Sequence, residues 1–305
     1  MRVCALLLLL AGFSAMAVAE DYRAAKPGDL LQVRLEQLHP TQAVVGYDQI
    51  YYKLGRFSKE PNKLFDEYCE GNGQGESSKV PKGANLHQPD SFSCQGAVAS
   101  RSSEMKTVVV GPEGKLYLTD GHHTFTTLWE QPEGGAKLQM WVKVTDNFSG
   151  SADLASFWQR MQAARKVWLK DGQGQVITPE QIPAQLGLGS LADDPYRALV
   201  YFTREVAYDK PRSGDVAPEF LEFYWGNWLR GQLDLSKYDL RDKGEYRDAI
   251  GAAAKLMVAL EADSTVGDSG FKAAELGGYS SVDRKEMGKM ASKKLPYMVA
   301  YKATR

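Results

Sequence analysis

The segment at 106–130 constrains the fold more than any other part of the chain. Two short β-branched or apolar runs, at 106–110 and 115–118, flank the turn sequence Gly-Pro-Glu-Gly, which predicts a β-hairpin. The second run continues through an Asp-Gly pair into an amphipathic stretch at 124–130 that predicts a helix. A chain that pairs two strands and then turns at once into a helix is typical of a mixed fold, in which helices pack on a sheet.

The remaining patterns predict an α+β fold, with a small mixed β-sheet and helices followed by a mainly helical C-terminal region. Alternation at 30–38 predicts a strand that ends before Pro40, and 138–144 predicts another. The Gly-, Ser-, Pro- and Asn-rich stretch at 71–103 predicts a long loop. Besides 124–130, apolar residues at helical spacing predict helices at 47–54, ended by Gly55, and at 61–70, 153–169, 193–207, 217–231, 243–262 and 283–302.

A glycine-rich break at 171–175 is the best candidate for a boundary within the chain. It separates an α+β region at 20–174 from a helical region at 175–305, which we expect to pack on the first region. The chain of 305 residues has 37 Lys and Arg against 38 Asp and Glu. Because the net charge is near zero, the protein has no overall attraction to nucleic acid, and no helix-turn-helix pattern predicts sequence-specific DNA reading.

The N-terminus has the pattern of a secretory signal peptide at 1–19. Arg2 precedes an apolar run rich in leucine, and Ala17-Val18-Ala19 fits the small-x-small cleavage rule before Glu20. The alternative is a membrane anchor, but the apolar run is near the lower limit for spanning a bilayer, and no later stretch is long enough. We therefore expect an exported protein, periplasmic or secreted, without a transmembrane segment after cleavage.

Signal cleavage would remove Cys4 and leave two cysteines, Cys69 and Cys94. In an exported chain these predict a disulfide, which would stabilise the fold by about 3 kcal/mol on the loop-entropy estimate. Two unpaired buried thiols are the alternative. A zinc site is disfavoured because neither cysteine belongs to a C-x-x-C pair.

The candidate chemistry lies in the Asp-Gly-His-His-Thr sequence at 120–124. Where a strand enters a helix through Gly121, free amide groups and the positive end of the helix dipole meet, which favours an anion such as phosphate. His122 or His123 can act as general acid or base, Asp120 can orient an imidazole or hold a metal, and Thr124 can bind a phosphate oxygen. A capped helix start with incidental histidines is the structural alternative.

The whole stretch at 106–125 resembles the signature of the putative ParB-like nucleases, an outlying branch of the ParB/sulfiredoxin superfamily. Leu-Glu-Gln-Leu-His-Pro-Thr-Gln at 35–42 resembles the first box of that family, and the likeness covers about residues 30–170. The resemblance implies a small mixed sheet with helices and a pocket that binds a nucleotide or phosphate. Asp120, Gly121, His122 and His123 would line this pocket, with Gln42 and Gln49 facing them.

The sequence departs from the superfamily at two positions of the motif. Partition proteins and sulfiredoxins have a phosphate-binding arginine where this chain has Thr124. The reactive cysteine of sulfiredoxins is His122 here, which excludes that reductase chemistry. Two cationic residues follow the first box, Lys53 and Arg56. They are one helical turn apart, a spacing that favours a solvated helix face over a role in steering an anion to the pocket.

Two functions follow from these expectations. The first is an exported ParB-like nuclease or phosphodiesterase with His122, His123 and Asp120 as catalytic residues and Gly121, Thr124, Gln42 and Gln49 as ligand-binding residues. The second is a periplasmic protein that binds a nucleotide or phosphate ligand without catalysis, so the sequence leaves enzyme status open. The partner would be a phosphate-containing small molecule or a nucleic acid. A divalent metal is compatible with the motif, but its identity is unknown because no complete ligand set is visible.

Overall fold

The computed structural model describes residues 21–210 and 217–305. The signal peptide predicted at 1–19 lies outside these ranges. The described strands are β1 (Leu30–Arg34), β2 (Leu38–Pro40), β3 (Val44–Val45), β4 (Ser77–Lys79), β5 (Ser93–Cys94), β6 (Lys106–Val110), β7 (Leu116–Leu118), β8 (Gln139–Asn147) and β9 (Ala192–Asp193). The described α-helices are α1 (Tyr47–Lys59), α2 (Asn62–Gly71), α3 (His122–Trp129), α4 (Leu154–Ala163), α5 (Pro195–Thr203), α6 (Leu221–Arg230), α7 (Lys243–Ala259), α8 (Arg284–Lys289) and α9 (Leu295–Lys302).

The central sheet is mixed and has the strand order β1-β8-β6-β7-β2. The predicted hairpin is β6 and β7, which pair antiparallel, with Val109 opposite Tyr117. β8 adds parallel to β6, and β1 closes one edge antiparallel to β8. The apolar side chains of these strands pack against α1, α2 and α3, so the predicted α+β class is confirmed.

The prediction of one continuous strand at 30–38 is wrong. A 3-10 turn at Leu35–Gln37 divides it into β1 and β2, which lie on opposite edges of the sheet. Pro40, predicted to end the strand, is the last residue of β2. An edge position tolerates it, because the missing amide group of a proline removes no hydrogen bond from the open side of an edge strand.

Helix α1 also differs from its prediction, because Gly55 does not end it. The helix continues to Lys59, and Gly55 lies where α9 crosses closely. A Cβ atom at residue 55 would lie 2.3 Å from the backbone oxygen of Tyr297. The glycine therefore allows two helices to approach, and it marks a packing site rather than a helix end.

The helix predicted at 153–169 is shorter than expected and ends at Ala163. Arg165 has a left-handed φ of 55°, which turns the chain away from the helix. This turn places the Trp168 ring 5.1 Å from the Phe223 ring, measured between centroids. The apolar periodicity of the last residues thus reflects packing onto α6 rather than continuation of α4.

The loop predicted at 71–103 is mostly irregular, with a short pairing of β4 and β5. Cys69 at the end of α2 and Cys94 in β5 form a disulfide with their Cα atoms 5.7 Å apart. The predicted disulfide is therefore confirmed. It fastens the long loop to the helix that forms one wall of the cleft described below.

The C-terminal region is helical as predicted, although α8 and α9 are joined by a π-helical turn at Met290–Lys294. Helices α5, α6, α7 and α9 share an apolar core that also includes Tyr52 of α1. Helix α1 thus packs on both the sheet and the helical region. Among the helices at 21–210 and 217–305, none combines the length and apolar character that a bilayer crossing needs. The boundary at 171–175 stays a prediction.

Candidate functional site

The turn between β7 and α3 depends on the backbone of Gly121. This residue has a φ of 108°, in the left-handed region that favours glycine. A Cβ atom there would also lie 2.6 Å from Cγ of Lys106. The backbone therefore turns sharply at Gly121, and α3 begins at His122, two residues before its predicted start.

The imidazole of His122 is enclosed behind the turn and does not line the cleft. Only 2% of the residue is exposed, and its Nε2 accepts a hydrogen bond from the backbone N–H of Thr41 at 3.1 Å. Since Nε2 is the acceptor, the ring is neutral and carries its proton on Nδ1. Burial lowers the pKa of His122 to about 3, against the opposing effect of Asp120.

His123 makes a similar hydrogen bond with the other end of the segment at 41–46. Its Nε2 accepts from the backbone N–H of Gly46 at 2.9 Å, and 8% of the residue is exposed. Burial, followed by the positive charge of Arg197, holds the pKa of His123 well below its ordinary value. Two adjacent histidines therefore anchor the segment at 41–46, and His123 also lines a cleft.

This cleft has a volume of about 590 Å³ and lies between α1, α2, the β7–α3 turn and the α5–α6 side of the molecule. Of the residues expected in a site, Gln49, Asp120, Gly121, His123 and Thr124 line it, whereas Gln42 and His122 do not. The side-chain amide of Gln42 donates instead to the carbonyl oxygen of Val44 at 2.5 Å. Gln49 accepts from Nη1 of Arg197 at 3.0 Å, which links α1 to α5 across the cleft.

Thr124 is engaged by a charged pair in the cleft. Its hydroxyl donates to Oε1 of Glu67 at 2.8 Å, and the ammonium of Lys53 lies 3.3 Å from the same hydroxyl. Lys53 and Glu67 also form an ion pair. The expectation of a solvated face for Lys53 and Arg56 is wrong, because α1 turns this face toward the cleft and both residues line it half-buried.

Asp120 lies at the rim of the cleft, with 51% of its side chain exposed. Its carboxylate is 3.8 Å from the ammonium of Lys106 on β6. Desolvation would raise the pKa of Asp120, but the charges of Lys106 and Lys210 hold it below the ordinary value. Asp120 is therefore ionised at neutral pH, although no hydrogen bond connects it to either imidazole among the described contacts.

Helix α2 contributes another acidic residue, Glu70, at the exposed edge of the cleft. Glu70 lies one turn after Glu67 and lines the same cleft. Desolvation and the neighbouring charge of Glu67 raise the pKa of Glu70 to about 7. No motif in the sequence marked this residue, because its environment depends on how α2 lies against α1 and α3.

The opposite wall carries charged side chains from the helical region. Arg197 of α5 lies 3.6 Å from Glu222 of α6, and Arg204, just after α5, forms an ion pair with the same carboxylate. All three residues line the cleft. Sequence analysis missed them, although a charged residue inside an otherwise apolar helix such as Pro-Tyr-Arg-Ala-Leu-Val-Tyr-Phe-Thr is a usable sign of a paired buried charge.

The family model described as putative ParB-like nuclease matches residues 31–231. This chain belongs to the putative ParB-like nuclease family. The resemblance at 30–170 is thereby confirmed, and the match continues through α5 and α6, which form the opposite wall of the cleft.

One solved structure shows the same fold at low sequence identity. The protein Atu1540 from Agrobacterium tumefaciens is 22% identical, with a TM-score of 0.52, and the match covers 84% of this chain and 98% of that chain. No curated protein matches this chain.

The cleft of this ParB-like chain is polar but balanced in charge. Its lining includes seven basic residues (Lys53, Arg56, Lys63, Lys106, Arg197, Arg204 and Lys210) and seven acidic residues (Asp66, Glu67, Glu70, Glu76, Glu104, Asp120 and Glu222). Within the two described ranges, no group of three or more His, Cys, Asp or Glu side chains is arranged to hold a metal ion. The cleft therefore presents individually placed charges rather than a uniform field.

Proposed function

We propose that this ParB-like chain is an exported phosphodiesterase that cleaves a phosphate ester, in a small molecule or a nucleic acid, within the cleft. The convergence of Asp120, Gly121 and His123 with the cations of α1, β6 and α5 on one opening carries the proposal. Membership of a family described as nucleases supports the reaction class. The cleft thus has both a place for a phosphate and side chains that can move a proton.

The phosphate would lie at the start of α3. The first amide groups of a helix have no partner within it, and the dipole adds positive charge at that end. Gly121 lets the stem of Lys106 pack against the turn, which holds this cation near the start of α3. Lys53, which lies near Thr124, adds a second cation on the α1 side.

Glu70 is the best candidate for the proton acceptor, because a pKa of about 7 suits a general base at neutral pH. In the proposed step, a water oxygen bonds to phosphorus and its proton passes to the Glu70 carboxylate. The phosphorus–oxygen bond to the leaving group breaks, and that oxygen takes a proton from solvent in the open cleft.

The imidazoles have a different part in this proposal from the acid or base role expected for His122 and His123. Each Nε2 already accepts a backbone hydrogen bond, so neither ring can accept a proton there without releasing the segment at 41–46. His123 can still donate from Nδ1 to a ligand in the cleft. Asp120 would hold the ammonium of Lys106 in place beside that ligand.

The same hydrogen bonds favour a second candidate function, the binding of a nucleotide or phosphate ligand without turnover. Both motif histidines are committed to holding the loop, which leaves a binding pocket intact even if Glu70 transfers no proton. Stabilisation by such a ligand without hydrolysis would support this function. Stabilisation together with hydrolysis would support the first.

The test measures hydrolysis of bis(p-nitrophenyl) phosphate and of single- and double-stranded DNA and RNA, with and without added divalent metal. With Glu70 as base, kcat/KM should rise with pH through about 7 and then level off. Glu70→Gln should lower the rate about 100-fold or more and remove this rise. The matched control is Glu133→Gln, an exposed carboxylate outside the cleft. Wild-type rate and pH profile in Glu70→Gln would contradict the assignment.

Export is part of the proposal, and the disulfide between Cys69 and Cys94 supports an oxidising compartment. The mass of the chain recovered from the cell envelope or medium should correspond to a start at Glu20. A full-length chain found only inside the cell would contradict export.

A further inference from the structure

The cluster of Arg197, Glu222 and Arg204 has more positive than negative charge, with Arg197 and Glu222 buried and Arg204 half-buried. Two guanidinium groups share one carboxylate, and the charge of Lys210 lies near the same carboxylate. Within the described part of the chain, no second acidic side chain forms an ion pair with either arginine. Burying unbalanced charge is costly unless a counter-charge accompanies it, so the cluster favours an anionic ligand.

Arg197 also has unused hydrogen-bonding capacity. Only 5% of the residue is exposed, and Nη1 donates to Gln49 at 3.0 Å. The contact with Glu222 is 3.6 Å, too long for a hydrogen bond. The buried Nε atom has no hydrogen-bond partner among the described residues, as is also true of Nε in Arg204 and Arg230. A buried donor of a charged group without a partner costs free energy that a bound oxygen atom would recover.

The guanidinium opens to the same cleft as the β7–α3 turn. Arg197, Gly121 and His123 all line it, and the charge of Arg197 contributes to the low pKa of His123. Gln49 fixes one nitrogen of the guanidinium from α1. An anion at the start of α3 would thus be bounded by helix amide groups on one side and by a fixed arginine on the other.

We infer that Arg197 is the phosphate-binding arginine of this cleft and that the helical region supplies it for a phosphoryl group at the start of α3. An arginine fork matches the spacing of phosphoryl oxygens, whereas a lysine offers a single point charge. The inference deepens the proposed function and rests on it in taking the same cleft as the phosphate site. It does not depend on hydrolysis, because binding can be measured alone.

The test uses the mature chain and titrates inorganic phosphate and pyrophosphate by calorimetry, with thermal unfolding of each protein beside it. Arg197→Lys keeps the charge but loses the fork, and it should weaken pyrophosphate binding about tenfold or more. Arg230→Lys is the matched control. Arg230 of α6 pairs with the buried Asp194 at 2.9 Å and lies outside the cleft lining. This control should keep the wild-type affinity even if it lowers the unfolding temperature.

A second variant separates binding from folding. Gln49→Glu has nearly the same shape and places a carboxylate against Nη1 of Arg197, which would neutralise the arginine. We expect it to weaken phosphate and pyrophosphate binding about tenfold or more while the unfolding temperature stays at or above that of the wild type. Because a new carboxylate in the cleft also repels phosphate directly, this variant supports the inference only together with the loss of affinity in Arg197→Lys.

The outcomes distinguish this inference from hydrolysis. Loss of binding in Arg197→Lys and Gln49→Glu, with no turnover in the wild type, would support the arginine and remove the phosphodiesterase. Wild-type affinity in both variants would overturn the inference and leave hydrolysis to be decided by the Glu70 variants. Absence of phosphate and pyrophosphate binding in the wild type would overturn it as well.

Discussion

The two walls of the cleft differ in what their side chains are free to do. The motif wall, at 120–124, has its histidines and threonine engaged within the protein: His122 with Thr41, His123 with Gly46, and Thr124 with Glu67. The opposite wall, formed by α5 and α6, presents Arg197 with an unpartnered Nε. The wall that carries the sequence motif therefore has fewer side chains free to bind a ligand.

This contrast shows why a motif alone is an uncertain guide to chemistry. Histidine and threonine at a helix start are equally suited to binding a ligand and to anchoring a neighbouring loop. Here the segment at 41–46 uses both imidazoles, and position 124, where relatives have a phosphate-binding arginine, is a threonine. The arginine lies instead on α5, more than 70 residues later in the chain.

The largest expected effect tests whether the motif wall is structural. His122→Ala removes a buried ring and leaves the amide of Thr41 without a partner, so we expect it to lower the free energy of unfolding by about 3 kcal/mol. Urea unfolding at pH 7 measures the difference. His87→Ala, at an exposed loop position, should change stability by less than about 0.5 kcal/mol. Equal effects in the two variants would break the contrast between the walls.

A smaller effect concerns the contact between the start of α1 and β9, just before the opposite wall begins at α5. Asp193 accepts a hydrogen bond from the backbone of Tyr47 at 2.8 Å, at the start of α1. Burial, with the nearby charges of Asp48 and Asp194, raises its pKa from 3.8 to about 7. The folded protein then holds a proton that the unfolded chain releases above pH 4, so stability falls as the pH rises from about 4 to 7.

Asp193→Asn keeps a neutral acceptor for Tyr47 and removes this loss. We expect the variant to be more stable than the wild type by about 2 kcal/mol at pH 8 and nearly equal to it at pH 4. Urea unfolding at both pH values measures the difference. The same stability difference at both values would contradict the raised pKa.

Local sequence signals predicted the hairpin of β6 and β7, the disulfide and most helices, because each depends on neighbouring residues or on compartment. The failures share a different cause. The sequence pattern predicts a helix end at Gly55, but the backbone of Tyr297, far along the chain, lies against this residue. The pattern also predicts Trp168 in a helix, but its ring packs on Phe223. Both outcomes depend on contacts distant in sequence.

For the candidate site as well, only the local features could be predicted from the sequence. The turn at Gly121 and its exposure to a cleft follow from a strand, a glycine and a helix in succession. Three other features could not be predicted from the sequence: the occupied Nε2 atoms of His122 and His123, the raised pKa of Glu70 and the buried position of Arg197. Each depends on elements that come together only in the folded chain.

The most direct test of this account is the state of the two motif imidazoles, which we hold to be neutral hydrogen-bond acceptors. Nitrogen-15 NMR of the histidine rings between pH 8 and pH 5 reports both the charge and the position of the ring proton. We predict that His122 and His123 keep the proton on Nδ1 and do not titrate over this range. Titration of either ring near pH 6.5, or a proton on its Nε2, would contradict the account and return the imidazoles to acid–base chemistry.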